Sequence, residues 1–328
     1  MVTVGWEAED YYIHSEGEKD AGKQWRERRK GEEEDSEEVV LGSLFKRNRK
    51  LSVYIPDSTL SNVGDLRRKT IKFHEVLRTS CMFRVDELVV FKDPLYKGDL
   101  GKDRELMEKL YKYFTTPPYL RKKLVPIDPL LKYVGELHPI RLAVFNVKRN
   151  AREQEYRVGL VKSVIGLRNI KVSIGLSRDA VAECIDECPR PGELVVVKVE
   201  SVNPLKVMCD ESCSKVYTGP VLKFSDDIAG EIEALRRKCY VIATSRIGRE
   251  LSLDYLQKLR NELLARNCIA VLFGSPYRGL YAMFESINRS LDECVDAVLN
   301  TLPRQGTVSV RSEEALHSTL TIINLLVD

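Results

Sequence analysis

Two stretches of alternating strand and helix pattern, residues 50–140 and 220–328, flank a middle stretch of short β-rich runs without helical periodicity. That interruption constrains the fold more than any other feature. Alternating strands and helices predict a parallel sheet covered on both faces, because each crossover between parallel strands needs about a helix's length of chain. In the first stretch LSVYIP (51–56) reads as a buried strand ending at Pro56. A helix is expected over 62–79, with Val63, Leu66, Ile71, Val76 and Leu77 as its apolar contacts. VDELVVF (85–91) is a second strand, and a helix over 103–114 runs up to the Pro117–Pro118 break. In the last stretch VLKF (221–224), CYVIATS (239–245), CIAVLFGS (268–275) and AVLNTL (297–302) read as strands. Helices are expected over 227–237, 253–266 and 313–326. Two strands alone make a small doubly covered sheet. The reading is therefore one discontinuous α/β domain, residues 47–140 and 219–328, interrupted by an insert at 141–218, in preference to three domains in a row.

Within the insert YRVGLVKSV (156–164), IKVSIG (170–175), ELVVVKVES (193–201), PLKVMC (204–209) and SKVYTG (214–219) are short and punctuated by Gly, Pro and Asn. They predict a small β-barrel of OB type. An SH3-like barrel or a plain antiparallel sheet fits the strand count equally. Ahead of the first strand, residues 1–46 carry a basic block, KQWRERRK (23–30), and an acidic one, GEEEDSEE (31–38). Such blocks bury too little apolar surface to offset chain entropy, so a disordered charged tail is expected, either solvated or serving as an RNA-touching arm. The net charge of +3 is too small to identify a nucleic-acid partner by itself.

No run of about 18 apolar residues occurs, and MVTVGWEAEDYY has no signal-peptide order, so the expected setting is cytoplasmic and away from membranes. Cys184, Cys188, Cys209 and Cys213 form two C-x-x-x-C pairs in the insert. Structural zinc, disulfides and reduced buried thiols all remain open for them, and no metal is assigned. With only four histidines (His14, His74, His138 and His317) a histidine-based metal or triad site is not expected, and His317 reads as a packed helix residue. Phosphate-loop, dinucleotide and nucleophile-elbow glycine motifs are absent, which disfavours ATPases, Rossmann oxidoreductases and common hydrolases.

What remains is three loops at the carboxyl ends of late strands, ATSRIG (243–248), FGSPYRGLY (273–281) and NTLPRQGTVSVRSEEA (300–315). Ligands of open α/β sheets bind at such ends. Gly274 permits close backbone approach, Pro276 stiffens its turn, and Gly306 relieves the third loop. Ser312 reads as the N-cap of the last helix, with Glu313 and Glu314 suited to its first turn. Ordinary βα turns have the same composition, so composition alone does not identify a ligand.

The combination of motifs is more specific. FGSPYRGLY followed by NTLPRQGTVSVRSEEAL resembles the trefoil-knot (SPOUT) superfamily, and within it the archaeal and eukaryotic branch of RNA methyltransferases with an OB-like insert. LRTSCMFRVDELVVF (77–91) and PPYLRKKLVPIDPLLKYVG (117–135) are similar to the same branch, and the insert falls in the expected place. Arg304 stands where the family usually has Gly, Val308 and Ser309 replace its usual Arg-Thr pair, and the family's Pro-His-rich patch is reduced to Leu137-His138-Pro139.

The resemblance implies a knotted parallel sheet carrying an inserted OB-like barrel, a homodimer, and S-adenosylmethionine as cofactor. Carried over residue by residue, the cofactor loops are Thr244, Ser245 and Arg246; Gly274, Ser275 and Pro276; and Asn300, Thr301, Leu302, Gln305, Gly306 and Thr307. Catalysis then consists mainly of aligning a base nitrogen with an activated methyl group, with deprotonation added where that nitrogen carries a proton. Arg84 and Arg311 are the candidate catalytic residues; a salt bridge to Asp86 or Glu87 is the alternative for Arg84, and pairing with Glu313 and Glu314 for Arg311. Tyr119 with Arg121, Lys122 and Lys123 suits RNA, by stacking and phosphate contact, unless these cations form only a solvated face. The implied substrate is RNA, ribosomal in preference to transfer RNA, with uridine N3 suggested by the family alone. A non-catalytic RNA-binding or assembly protein that retains a knot is the rival expectation.

Overall fold

The structure, a computed structural model, describes residues 44–185 and 187–327. The expected tail lies almost wholly outside them. Its last residues do not belong to a tail: Phe45 pairs as a β-bridge with Val216, and Leu44 packs on the main core.

Six strands form one parallel sheet. In chain order they are β1 (Lys50–Pro56), β2 (Glu87–Phe91), β8 (Val221–Ser225), β9 (Cys239–Glu250), β10 (Cys268–Leu272) and β11 (Ala297–Asn300). Their order across the sheet is β11-β9-β10-β1-β2-β8. The two chain segments thus interleave: β1 and β2 from before the insert sit between β10 and β8 from after it. Neither segment supplies all six strands, so the sheet draws on both.

Side-chain alternation sends successive strand residues to opposite faces. Val53, Ile55, Leu88, Val90, Ile242, Val271 and Phe273 meet one layer of helices. That layer is α1 (Leu66–Met82), α2 (Gly101–Thr115), α6 (Leu253–Leu264) and α9 (Ser312–Val327). Tyr54, Val89, Phe91, Val241, Ala243, Ala270 and Leu272 meet the other. It consists of α5 (Ile228–Arg236), α7 (Leu280–Ser286) and α8 (Leu291–Cys294). α7 and α8 are too short to leave a periodicity signal. Past the Pro117–Pro118 break PYLRKKL forms a short helix, α3 (Pro118–Leu124), with Pro118 at a helix start, where its missing N–H costs nothing.

The insert is a closed barrel of β3 (Tyr156–Ile165), β4 (Asn169–Ser173), β5 (Ala180–Cys184), β6 (Leu194–Val202) and β7 (Leu205–Cys209), in the order β3-β4-β5-β7-β6. Five strands were expected, but one was misassigned. SKVYTG contributes no barrel strand, whereas Ala180–Cys184 does, its alternate residues Ala180, Ala182 and Cys184 buried in the barrel core. A one-turn helix, α4 (Glu211–Ser214), leads the chain back to the sheet. Val144, Phe145, Val158, Val216 and Tyr217 pack into the main core, so the barrel is joined to the sheet domain by shared apolar contacts. Cys184, Cys188, Cys209 and Cys213 are free thiols. The disulfide lies elsewhere, between Cys239 and Cys268, register partners at the amino ends of β9 and β10.

No helix among the described residues is long and apolar enough to cross a membrane.

Candidate active site

At the edge of the sheet β11 meets β9 twice. Ala297 and Val298 lie beside Ile242 and Ala243, while Leu299 and Asn300 lie beside Arg249 and Glu250. The five residues between, 244–248, loop out of the sheet. Gly248 closes that loop: a Cβ there would stand 2.8–2.9 Å from the Leu299 backbone and the Val298 carbonyl. Only glycine allows the two chains to approach so closely. The RIG triplet was visible in the sequence, but nothing local marked its glycine as a contact point.

Two further loops complete the site. After β10 the chain turns at Ser275, whose N–H donates to the Arg278 carbonyl and whose Oγ accepts from the Arg278 N–H at 3.0 Å. A Cβ on Gly274 would lie 3.2 Å from the Arg278 oxygen and the Gly279 Cα. This glycine therefore serves the loop's own closure, in addition to any ligand contact. After β11, Asn300 ties two loops together: its amide donates to the Arg246 carbonyl at 2.9 Å, and its Oδ1 accepts from Leu302 N–H at 3.1 Å. Arg246 reaches back to the Val308 carbonyl at 3.0 Å. Thr244 is held to the Leu272 carbonyl, and Thr301 to Thr319 on α9.

The three loops surround one cavity of about 520 Å³. Thr244, Ser245, Arg246, Gly274, Ser275, Pro276, Asn300, Thr301, Leu302 and Gln305 line it; Gly306 and Thr307 do not. Ile247, Phe273, Leu299 and Leu302 give it apolar wall, and side-chain and backbone polar groups interrupt that wall, a mix suited to a flat heteroaromatic ligand with polar substituents. Arg311 lines it as well. Its backbone N–H donates to Glu314 Oε2 at 2.8 Å, and its carbonyl accepts the first helical bond from Ala315. Arg311 is thus the N-cap, where Ser312 was expected, and Ser312 is the first residue of α9.

Two lining residues come from the far part of the sequence, and sequence reading missed both. Asn62 precedes α1, and Lys72 lies on it. Lys72 is 5% exposed, and its Nζ donates to Asn62 Oδ1 at 2.8 Å. Burial is the main force holding its amine below the ordinary lysine range, with Arg311 adding to it and Glu313 opposing. On sequence alone Lys72 was one more cation in a helix.

The structure separates the other candidates from this cavity. Arg84 sits in the turn before β2, at the amino edge of a parallel sheet whose cavity is at the carboxyl edge, and it does not line the cavity. Its guanidinium donates toward the Phe45 carbonyl, while the carboxylates of the alternative salt bridge are engaged elsewhere: Asp86 accepts from Leu51 N–H and Glu87 binds Lys50 and Lys223. Tyr119, Arg121, Lys122 and Lys123 do not form one exposed platform. The Tyr119 hydroxyl donates to the Val158 carbonyl at 2.8 Å, and its ring lies against Gly175 of the insert. Arg121 stacks 4.6 Å from the Tyr113 ring and donates to the Tyr113 and Thr116 carbonyls. Lys123 donates to Ser173 Oγ at 2.8 Å. Three of the four side chains therefore contact neighbouring elements, two of them joining the barrel to the sheet domain, while Lys122 and Lys123 are exposed.

A parallel sheet interrupted by a barrel, with three carboxyl-end loops closing on one cavity, defines an α/β protein with a candidate ligand site at its carboxyl edge. Comparison gives the family: residues 50–323 match the model described as "Putative RNA methyltransferase", and the chain belongs to that family. It is an RNA methyltransferase by that membership and by its relatives. An uncharacterised protein of Halobacterium salinarum is 33% identical over 288 residues, covering 84% of this chain and 98% of the relative. The 28S rRNA (uridine-N(3))-methyltransferase of Homo sapiens is 26% identical over 327 residues, covering 88% of this chain and 83% of the relative. The enzyme of the same name from Drosophila melanogaster is 25% identical over 310 residues, covering 81% and 60%.

Proposed function

We propose that this chain transfers a methyl group from S-adenosylmethionine to N3 of a uridine in ribosomal RNA, in the cytoplasm and as a homodimer. The observation that carries the reading is the convergence of loops 244–248, 273–281 and 300–311 on a single cavity in a member of an RNA methyltransferase family. Its apolar wall suits the adenine ring, and Asn300, Thr301 and Gln305 offer polar partners. The cofactor supplies a methyl group already activated on sulfur, so the protein's part is to position, to exclude water and to move a proton. Asn300 fixes the relative position of the first and third loops, and Arg311 places a cation at the cavity for an electron-rich base edge. The excursion of residues 244–248 between two pairings of β9 with β11, the strand that leads on to α9, supports a knotted path.

Exposed apolar side chains support the dimer. Ile247 (75% exposed) lines the cavity, while Val308 (91%) and Tyr277 (62%) stand on the loops around it, a surface that a second copy would cover. The barrel's strand order, with its third and fifth strands parallel neighbours, supports the OB reading and a role in holding RNA. The test is incubation of the protein with isotopically labelled S-adenosylmethionine and large-subunit ribosomal RNA, followed by nucleoside mass spectrometry. Labelled 3-methyluridine is the expected product. Label on a ribose or on another base would contradict the assignment.

A further inference from the structure

We infer that Lys72 is the proton acceptor for the target nucleobase, a role that rests on the methyl-transfer reading above. A uracil N3 carries a proton, and its ring is a poor nucleophile until that proton leaves. Something lining the cavity must take it.

The cavity offers few groups able to do so. Arg246 and Arg311 cannot accept a proton at accessible pH, and the Thr, Ser, Asn and Gln side chains around it are not bases. Tyr281 also lines it, but its hydroxyl donates to Asp292 Oδ1, and burial and that carboxylate disfavour the phenolate. Lys72 is the lining residue whose neutral form is a strong base. It is also built for that form. The residue is 5% exposed, on a helix packed against α9, and one N–H is directed by Asn62 Oδ1 at 2.8 Å. A neutral amine held by one donated hydrogen bond retains a lone pair for the cavity.

The charged neighbours come from every element packed on it. Glu313 on α9 approaches to 3.8 Å, too far for a hydrogen bond, and its Oε2 is buried without a hydrogen-bond partner. Arg311 at the start of α9 repels an ammonium, and Glu75, one turn further along α1, attracts one. Burial and Arg311 together outweigh the two carboxylates, so the amine is held below the usual lysine range. Glu313 is then placed to stabilise the ammonium once it forms, which suits a group that must be neutral before the step and charged after it.

The step balances as follows. The N3–H bond breaks and its proton forms a bond with the Lys72 Nζ lone pair, giving an ammonium. The N3 electron pair forms the bond to the methyl carbon as the S–CH3 bond breaks, and that bond's pair stays on sulfur as a neutral thioether. The ammonium later releases its proton to solvent.

The experiment uses the full chain, S-adenosylmethionine and large-subunit ribosomal RNA, with Lys72→Arg and Lys72→Met. Cofactor affinity by calorimetry should stay within about threefold of wild type in both variants, and thermal melting confirms that they fold. The single-turnover rate of 3-methyluridine formation should fall by about 10²-fold or more in both, since Arg keeps the charge but cannot accept a proton. In the wild type that rate should rise with pH and level off at a midpoint below the ordinary lysine value, and Lys72→Arg should lack the plateau. Nζ nuclear magnetic resonance of ¹⁵N-lysine-labelled, cofactor-free protein should show one amine, absent in Lys72→Arg, titrating at that midpoint. Near-wild-type transfer by Lys72→Arg, or an ordinary titration of Lys72, would overturn the assignment while leaving the methyl-transfer reading intact. A wild-type protein that makes no 3-methyluridine would overturn both.

Discussion

At the scale of single residues, Arg304 shows how a sequence anomaly becomes a physical quantity. The family resemblance places glycine there, and the arginine adopts φ +56°, the left-handed region. For a residue with a Cβ that conformation costs about 1–2 kcal/mol. Arg304→Gly removes this strain but adds about 0.5–1 kcal/mol of backbone entropy lost on folding. A net gain of up to about 1.5 kcal/mol is expected, seen as a rise in the denaturant midpoint at unchanged slope. A lower midpoint would mean that the guanidinium makes a contact worth more than the strain. Gly248 is the opposite case, a glycine that the structure requires. Gly248→Ala forces a methyl group against the Leu299 backbone, so β11 and loop 244–248 must separate. Thermal melting should show destabilisation of about 1–3 kcal/mol. Cofactor binding should be lost with it, because the first and third loops share that contact.

Elements were more legible than their attachments. Strands β1, β2, β9 and β10 are continuous apolar runs because helices cover both faces of the sheet, and such runs survive in a single sequence. The three cavity loops were legible because they follow those strands at their carboxyl ends. What the sequence did not show is non-local. Lys72 reaches the cavity from a helix about 170 residues before the first cavity loop, and the partners of Tyr119 and Lys123, Val158 and Ser173, are likewise distant in sequence. Tyr217 is a further example: its buried hydroxyl donates to the Val85 carbonyl at 2.9 Å, fastening the return from the barrel to the start of β2. Tyr217→Phe leaves that carbonyl unpaired, so stability should drop by about 1–3 kcal/mol in urea titrations. An unchanged midpoint would show that water replaces the hydroxyl. The Cys239–Cys268 disulfide was not anticipated either, since the eye is drawn to the paired spacings in the insert. It closes a loop with a sequence separation of 29, and by loop-closure entropy its reduction should cost about 3–4 kcal/mol, measurable as a lower melting temperature with reductant.

For the whole molecule, the interleaving of β1 and β2 with β8, β9 and β10 makes the barrel an insertion into a completed sheet, and the shared core at Val144, Phe145, Val216 and Tyr217 makes the two parts one stability unit. That arrangement sets a barrel beside a sheet whose carboxyl-edge loops enclose one cavity, and the account stands on that cavity binding S-adenosylmethionine. Isothermal titration of the purified chain with S-adenosylmethionine is the most direct test. Saturable binding at one cofactor per protomer in the wild type, absent in Gly248→Ala and retained in Lys72→Arg, is the predicted result. No binding heat from the folded wild-type protein at millimolar cofactor over a range of temperatures, or wild-type affinity in Gly248→Ala, would contradict it.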